Sequence, residues 1–198
     1  KARWVYHNGT GYLFPDSTTI HLSNQEESGK WTDITKQSAA SKELVSLDVF
    51  SLWIDHGTRP QGNIGLTNYA SAIPEDVCYQ YIVVPVCTPE QMETDRGIEV
   101  LLNNRSIQAV KDAESGLVQA LFYEGGEINI SEEMKLTLDS PGAVMLKLKE
   151  GKVKEITVAD PSRSLRRMHI QIPGMEKLVI DLPGGVYAGQ SVMVDLTP

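Results

Sequence analysis

The histidines of this sequence could do chemistry, because imidazole acts as a general base, a proton carrier or a metal ligand near neutral pH. The four histidines are His7, His21, His56 and His169. No two of them stand at a metal-ligand spacing such as i, i+4 on a helix, so the sequence predicts no zinc site. We expect His7 and His21 to have structural or surface roles and His169 to be solvated.

The most specific catalytic candidate is the sequence Asp55-His56-Gly57. A carboxylate beside an imidazole could orient that ring as a general base. Adjacent residues on a strand point to opposite faces, however. We therefore favour a role for Asp55 and His56 in shaping the turn that Gly57 permits.

Two other groups could bind a sugar. The one local basic cluster follows Asp160-Pro161 and consists of Arg163, Arg166 and Arg167. It could bind an anionic sugar, but we favour a solvated loop, because Asp-Pro starts a turn. Aromatic side chains that could stack on sugar rings are more often sandwich core, and here they are Trp4, Tyr6, Tyr12, Trp31 and Trp53. The sequence contains no nucleophile-elbow, phosphate-loop or calcium-loop motif, and it does not identify a pair of catalytic carboxylates. From its residues alone the sequence predicts no catalytic, cofactor-binding or metal-binding residue.

Composition narrows the class of protein. The 198 residues are 41% hydrophobic and 22% charged, which is typical of a folded chain. Their net charge is −8, so a nucleic-acid partner is not expected. No apolar run approaches the ~20 residues of a membrane span. The two cysteines, Cys78 and Cys87, cannot pair without a turn between them, and they do not report the redox compartment.

The elements that must position these residues are strands, because short apolar alternations separated by turn residues recur along the chain. Residues 4–15 predict a hairpin around Asn8-Gly9. Residues 18–23, 45–55 and 77–86 predict further strands, with the far end of 45–55 covered on both faces. Residues 24–42 are polar and predict a long surface excursion.

A boundary follows at Thr88-Pro89-Glu90-Gln91, where a capping hydroxyl, proline and glutamine predict one or two helical turns. Beyond it, strands are expected at 98–102, 106–111, 117–123, 135–138, 143–148, 153–159, 168–172, 177–182 and 192–196. Gly125-Gly126 and Gly184-Gly185 are expected to be turns. The pattern predicts two packing units, the second a two-sheet antiparallel sandwich.

Several separate blocks resemble the late part of the central β-domain of family 8 polysaccharide lyases: residues 4–15 (WVYHNGTGYLFP), Gly29-Lys30-Trp31 with Asp33-Ile34, residues 49–57 and residues 79–85. The sequence of residues 7–15 most resembles that of the chondroitin sulfate ABC lyases. Asp160-Pro161-Ser162-Arg163 before a strand resembles the family's C-terminal sandwich. The resemblance implies an all-β fold: the end of a large antiparallel β super-sandwich (1–88), a short helical linker (89–96) and a smaller C-terminal antiparallel β-sandwich (97–198).

The resemblance also implies a function. Such lyases cleave uronic-acid-containing glycosaminoglycans by β-elimination, and their catalytic residues lie in an N-terminal α/α toroid and the early β-domain. None of those roles maps onto this sequence, which opens at Lys1 directly on a strand. We therefore expect a non-catalytic C-terminal scaffold portion of a secreted or periplasmic lyase acting on an acidic polysaccharide, partnered by the toroid and remaining β-domain of its parent chain and needing no cofactor. The alternative is a free-standing carbohydrate-binding or adhesion module; a complete small glycosidase is a weak third reading.

Overall fold

The fold is all-β, as predicted, and falls into two compact units, residues 1–94 and 95–198. It was obtained as a computed structural model that describes residues 3–16, 18–55, 78–94 and 96–196. Over those ranges, no helix combines the length and the hydropathy that a bilayer-spanning segment requires. The domain bounds 1–88, 89–96 and 97–198 stay a prediction.

The first unit contains a three-stranded antiparallel sheet ordered β1-β2-β5, built from β1 (Trp4–His7), β2 (Thr10–Leu13) and β5 (Ile82–Pro85). The predicted hairpin is present, and Asn8 and Gly9 take the positive φ values of 44° and 81° that its two-residue turn requires. Strand β2 then pairs with β5, so that Tyr12 lies opposite Val83. This pairing joins residues far apart in the chain.

A two-stranded ribbon forms the second part of this unit, with β3 (His21–Gly29) paired antiparallel to β4 (Val45–Trp53) along nine residues each. The expected strand 18–23 therefore starts later, and the expectation of a surface excursion over 24–42 is wrong for its first part. Polar β3 becomes a strand because β4, rich in β-branched and aromatic residues, provides its partner. A single helical turn, α1 (Trp31–Ile34), lies between the two strands.

The predicted helical turns are a short 3₁₀ helix over Glu90–Glu93. Gln91 Oε1 accepts a hydrogen bond from the Thr88 main-chain N–H at 2.9 Å, which is the glutamine half of the expected capping box. Met92, 2% exposed, packs so closely on the sheet that its side chain occupies the space of a Cβ at Gly11. The helix thereby closes one face of the three-stranded sheet.

The second unit is a sandwich of two antiparallel sheets. The first has six strands in the order β15-β12-β11-β8-β7-β6, and the second has four in the order β14-β13-β10-β9. Their bounds are β6 (Ile98–Asn103), β7 (Ile107–Asp112), β8 (Leu117–Phe122), β9 (Gly126–Asn129), β10 (Lys135–Leu138), β11 (Gly142–Lys149), β12 (Lys152–Ala159), β13 (Arg167–Gln171), β14 (Leu178–Asp181) and β15 (Val192–Asp195).

A continuous core lies between these two sheets. It is made by alternate residues of facing strands, among them Leu136, Leu146, Ile156 and Ile170, each 0% exposed. All nine strands predicted for this unit are present. The expectation of a turn at Gly125-Gly126 is wrong for Gly126, which begins β9, whereas Gly185 starts a short 3₁₀ turn (Gly185–Tyr187).

Candidate functional site

An aromatic cleft of about 440 Å³ in the first unit is the candidate site. It is lined by Tyr12, Phe14, Phe50, Leu52, Trp53, Ile54, Tyr79 and Tyr81. Tyr12 comes from the three-stranded sheet, Phe50 and Trp53 come from the ribbon, and Tyr79 and Tyr81 precede β5. Strand pairing brings these rings together from three separate stretches of sequence.

The rings around the cleft are ordered by stacking. His7 lies flat on Phe50, with ring centroids 4.1 Å apart and an interplanar angle of 5°. His21 stacks on Trp53 at 5.3 Å and 15°. Tyr79 and Tyr81 are parallel within 8° and about half exposed. His7 and His21 thus act as flat packing partners for aromatic rings.

The predicted aromatics divide into two groups. Trp4 and Tyr6 pack against the small cluster of Val84, Cys87 and Met92. Trp31 and Trp53, by contrast, are 62% and 47% exposed, so the expectation that they belong to the sandwich core is wrong, as is that of a covered far end for β4. Trp53 is exposed because its ribbon has no third strand within the part of the chain that the structure describes, and Trp31 lies on the helical turn that follows β3.

His169 lies on the outer face of the four-stranded sheet, as its alternation predicts, but it is paired rather than simply solvated. Its Nδ1 is 2.5 Å from Oδ2 of Asp139, and its main-chain N–H also faces that carboxylate at 3.4 Å. Asp55 ends the described stretch after β4, whereas His56 and Gly57 lie outside the described residues. The role of the Asp55-His56 pair therefore stays a prediction.

The three arginines of the predicted basic cluster contact different parts of the second unit. Arg167 Nε donates to Asp181 Oδ1 at 2.6 Å, and this pairing raises the pKa of the guanidinium. Arg166 occupies the space that a Cβ would take at Gly184. Arg163 and Arg166 both lie against the loop 184–189, beside Gly189 and Gly184, whereas Arg167 is paired on the four-stranded sheet. The three arginines therefore do not converge on one site.

Asp160, 2% exposed, organises the loop that carries these arginines. Its Oδ1 accepts from the Ser162 N–H at 2.9 Å and from the Ser162 hydroxyl at 2.5 Å, while Oδ2 accepts from the N–H groups of Ser164 and Leu165, both at 2.7 Å. Burial opposes ionisation of this carboxyl, but the hydrogen bonds outweigh it and hold its pKa below the usual range. The Asp-Pro-Ser-Arg block is therefore a structural loop.

Metal ligands do not converge in the described ranges, where no group of three or more His, Cys, Asp or Glu side chains could hold an ion. Cys78 and Cys87 are not joined by a disulfide. Sequence reasoning missed Phe50, Tyr79 and Tyr81 as members of the cleft. The alternation Tyr79-Gln80-Tyr81 was the available signal, since i and i+2 residues of an extended chain share a face.

Two antiparallel β units in tandem, each carrying its own core, define the class as a multidomain β protein. The first unit matches the family model for the super-sandwich domain of polysaccharide lyase family 8 over residues 1–96, and the second matches the C-terminal beta-sandwich domain of the same family over residues 99–169. The chain belongs to polysaccharide lyase family 8, as its sequence blocks predicted.

Similar proteins include three kinds of lyase. Chondroitinase-AC of Pedobacter heparinus is 33% identical over 197 residues, covering 96% of this chain and 26% of that protein. Xanthan lyase of a Bacillus species is 27% identical, and the match covers 82% of this chain and 17% of that protein. The chondroitin sulfate ABC endolyase of Proteus vulgaris is 23% identical, and the match covers 70% of this chain and 12% of that protein. The match to the AC enzyme is therefore both longer and higher in identity than the match to the ABC enzyme.

The fold agrees with these sequence matches. A solved structure of chondroitinase AC lyase, studied as enzyme–oligosaccharide complexes, superimposes with a TM-score of 0.82 at 33% identity, covering 96% of this chain and 27% of that one. The chain thus spans about a quarter of the length of these chondroitinases.

Proposed function

We propose that this chain is the non-catalytic C-terminal β portion of a longer lyase that cleaves a uronic-acid-containing glycosaminoglycan, such as chondroitin sulfate, dermatan sulfate or hyaluronan, by β-elimination. The observation that carries the proposal is coverage: 96% of the chain aligns with chondroitinase-AC but accounts for only 26% of that protein. The remaining modules of the parent chain would then hold the reacting groups.

The chemistry of β-elimination sets a demand that can be compared with the described residues. A base must remove the proton at C5 of the uronate, a positive or hydrogen-bonding group must neutralise its carboxylate, and an acid must protonate the leaving glycosidic oxygen. His7 and His21 are stacked on aromatic rings, and His169 is paired with Asp139. Arg163 and Arg166 lie against one loop, and Arg167 is already paired with Asp181. These placements favour a scaffold role for the chain.

The ribbon supports a scaffold role more directly. One of its faces carries the β4 side chains Val45, Leu47, Val49 and Trp53, which are 38% to 64% exposed. A two-stranded ribbon is marginally stable alone, and exposed apolar strands invite pairing with further strands. In the proposed parent, preceding strands of the super-sandwich domain cover this face, and the assembled β-domain forms the wall against which the α/α toroid packs.

Activity assays test the proposal. The purified 198-residue chain, incubated with chondroitin sulfate, dermatan sulfate and hyaluronan, is expected to give no rise in the ultraviolet absorbance of unsaturated uronate ends, whereas the full parent chain gives that rise on at least one of them. Cleavage by the 198-residue chain alone would refute the non-catalytic assignment. A parent chain that cuts no uronate-containing polymer would refute the lyase assignment.

The parent is also proposed to act outside the cytoplasm, as a secreted or periplasmic protein, because a polysaccharide of this size does not cross a membrane to reach an internal enzyme. Fractionation of the source cells, with antibody against residues 95–198, checks this point. Recovery of the parent only with cytoplasmic markers would contradict it.

A second candidate, a carbohydrate-binding module, is favoured by one observation: the half-exposed rings of Trp53, Tyr79 and Tyr81 border an open cleft. Iodide quenching of tryptophan fluorescence does not separate the two candidates, because Trp31 and Trp53 are exposed in either case. A saccharide-dependent shift of tryptophan emission does separate them. Replacing Tyr81 by alanine should abolish that shift if the cleft binds sugar, while Tyr123→Ala, an exposed tyrosine of the second unit, should leave it unchanged.

A further inference from the structure

The two outer faces of the second unit differ in chemistry. The outer face of the four-stranded sheet carries charged pairs typical of a solvated surface: Lys135 with Glu127 at 2.7 Å, Arg167 with Asp181 at 2.6 Å and His169 with Asp139. The outer face of the six-stranded sheet has instead an uncharged centre. The sandwich therefore presents one outer face with charged pairs and one outer face whose centre is uncharged.

The uncharged centre follows from the strand register. Val110 lies opposite Gln119, Gln119 opposite Met145, Met145 opposite Thr157, and Thr157 opposite Met193. An adjacent row runs through Gln108, Leu121, Ala143 and Ala159 on the same face. We call these two rows the uncharged band. Charged residues begin in the flanking row, which runs Asp112, Leu117, Lys147, Glu155 and Asp195, and continue beyond it at Lys149 and Lys152.

The uncharged band is also concave. A depression of about 470 Å³ lies over it, and its floor reaches the main chain of inward-facing residues such as Val144 and Val158 because the outward side chains Ala143 and Ala159 are small. The band contains Met145 and Met193, has no charged side chain and is bordered on one side by a charged row. Methionine enrichment and depletion of charged residues are properties of protein–protein interface cores. Exposed apolar patches of this kind mark interaction surfaces.

Three occupants can be compared. An acidic polysaccharide requires cations, and the residues lining the depression include none. A second copy would place one concave face against another and leave a void, and both copies carry a net charge of −8. A convex, uncharged surface of another module of the parent chain would need no cations and would fill the depression. Such a module is available in the proposed parent, because the AC-type chondroitinases are about four times the length of this chain.

We infer that the uncharged band is the surface by which the C-terminal sandwich docks on a further module of its own parent polypeptide, outside these 198 residues. This inference rests on the proposed function, since it requires a longer parent. It adds the location and chemistry of the contact: the outer face of the six-stranded sheet, with Met145 at its centre and Met193 on its edge strand.

Methionine oxidation tests the inference without a substitution. Met193 is 63% exposed in this chain, so dilute hydrogen peroxide should convert it rapidly to the sulfoxide, as followed by peptide mass spectrometry. In the full parent we expect its oxidation to slow by about tenfold. Met175, half-buried in the turn after β13 and away from the band, is the control and should react at similar rates in both chains.

A matched pair of substitutions gives the second measurement. Met193 and Val179 are both exposed, at 63% and 54%, and both lie on edge strands of outer faces. In the parent, Met193→Lys should lower the melting temperature by roughly 5 °C, because a charge would enter a desolvated contact, whereas Val179→Lys should change it by about 1 °C at most. In the 198-residue chain both substitutions should have the small effect.

The outcomes separate this inference from the proposed function. A parent of chondroitinase length that leaves Met193 fully reactive overturns the docking surface while the scaffold role stands. A native polypeptide that ends at 198 residues overturns both. Protection of Met193 in the isolated chain that grows with protein concentration overturns the proposed occupant, because it identifies a second copy on the band.

Discussion

Replacing Asp160 by alanine should destabilise the second unit, because this carboxylate is buried and fully hydrogen-bonded. The buried carboxylate accepts four hydrogen bonds, two on each oxygen, from the main chain of Ser162, Ser164 and Leu165 and from the Ser162 hydroxyl. A hydrogen bond to a charged acceptor contributes about 1.5 kcal/mol or more. If water entering the vacated space replaces half of them, Asp160→Ala costs about 3 kcal/mol.

The substitution Asp160→Asn separates the charge from the shape of the side chain. One amide oxygen can still accept from Ser162, but the amide NH₂ then faces the N–H groups of Ser164 and Leu165, so we expect a loss close to that of alanine. For a unit of about 100 residues, 3 kcal/mol corresponds to roughly 12 to 24 °C in melting temperature. The control is Asp181→Asn, whose solvent-exposed pair with Arg167 should change stability far less than either Asp160 substitution.

The pH dependence has a definite sign. The folded-state pKa of Asp160 is lowered relative to the unfolded chain, so the stabilisation is fully present above the unfolded pKa and is lost as pH falls through the folded-state pKa. Urea unfolding of the second unit, followed by circular dichroism from pH 7 downward, should show the wild type and Asp160→Asn converging in acid. A difference below about 1 kcal/mol at pH 7, or one that does not shrink in acid, would refute the reasoning.

Three further expectations concern packing and backbone. Leu136 is a 0% exposed core residue, so Leu136→Ala should lower the free energy of unfolding, measured in urea, by about 3 kcal/mol. A decrease of less than about 1 kcal/mol would contradict the assignment of Leu136 to the core. Gly116 and Gly151 have similar positive φ values, 69° and 71°, but a Cβ at Gly116 would overlap the Leu148 carbonyl while one at Gly151 meets nothing. Gly151→Ala should therefore cost about 1 kcal/mol and Gly116→Ala clearly more; equal losses would show that φ alone decides. Because its apolar ribbon face is exposed, the 198-residue chain is expected to self-associate. Leu47→Lys should reduce that association in sedimentation, and unchanged association would exclude this face as its cause.

The strands of the second unit could be predicted from sequence because their signal is local. Alternation in residues 143–148 and the turn at Glu150-Gly151 mark the β11–β12 hairpin without reference to the rest of the fold. Strand β9 was missed because its first residue, Gly126, resembles a turn. It becomes a strand by pairing with Leu138 of β10, a contact that composition does not report.

The first unit was harder to predict for the same physical reason. Strand β3 is mostly polar, and its structure comes from cross-strand partners on β4. The aromatic cleft could not be derived either, because Phe50 and Tyr81 are brought together by pairings that depend on unknown registers. The strand pattern and the family resemblance both predicted an all-β fold, but neither revealed which aromatic rings are exposed.

The pairing of β2 with β5 has a consequence for the order of folding. Tyr12 and Val83 become neighbours only after the whole ribbon and the chain up to residue 85 are available, so closing this sheet carries a large loop entropy. The strands β6, β7 and β8 pair in sequence order through short turns. We therefore expect the C-terminal sandwich to form its hairpins rapidly and the three-stranded sheet to close slowly, so that hydrogen exchange during refolding protects Ala109 and Ala120 before Val84.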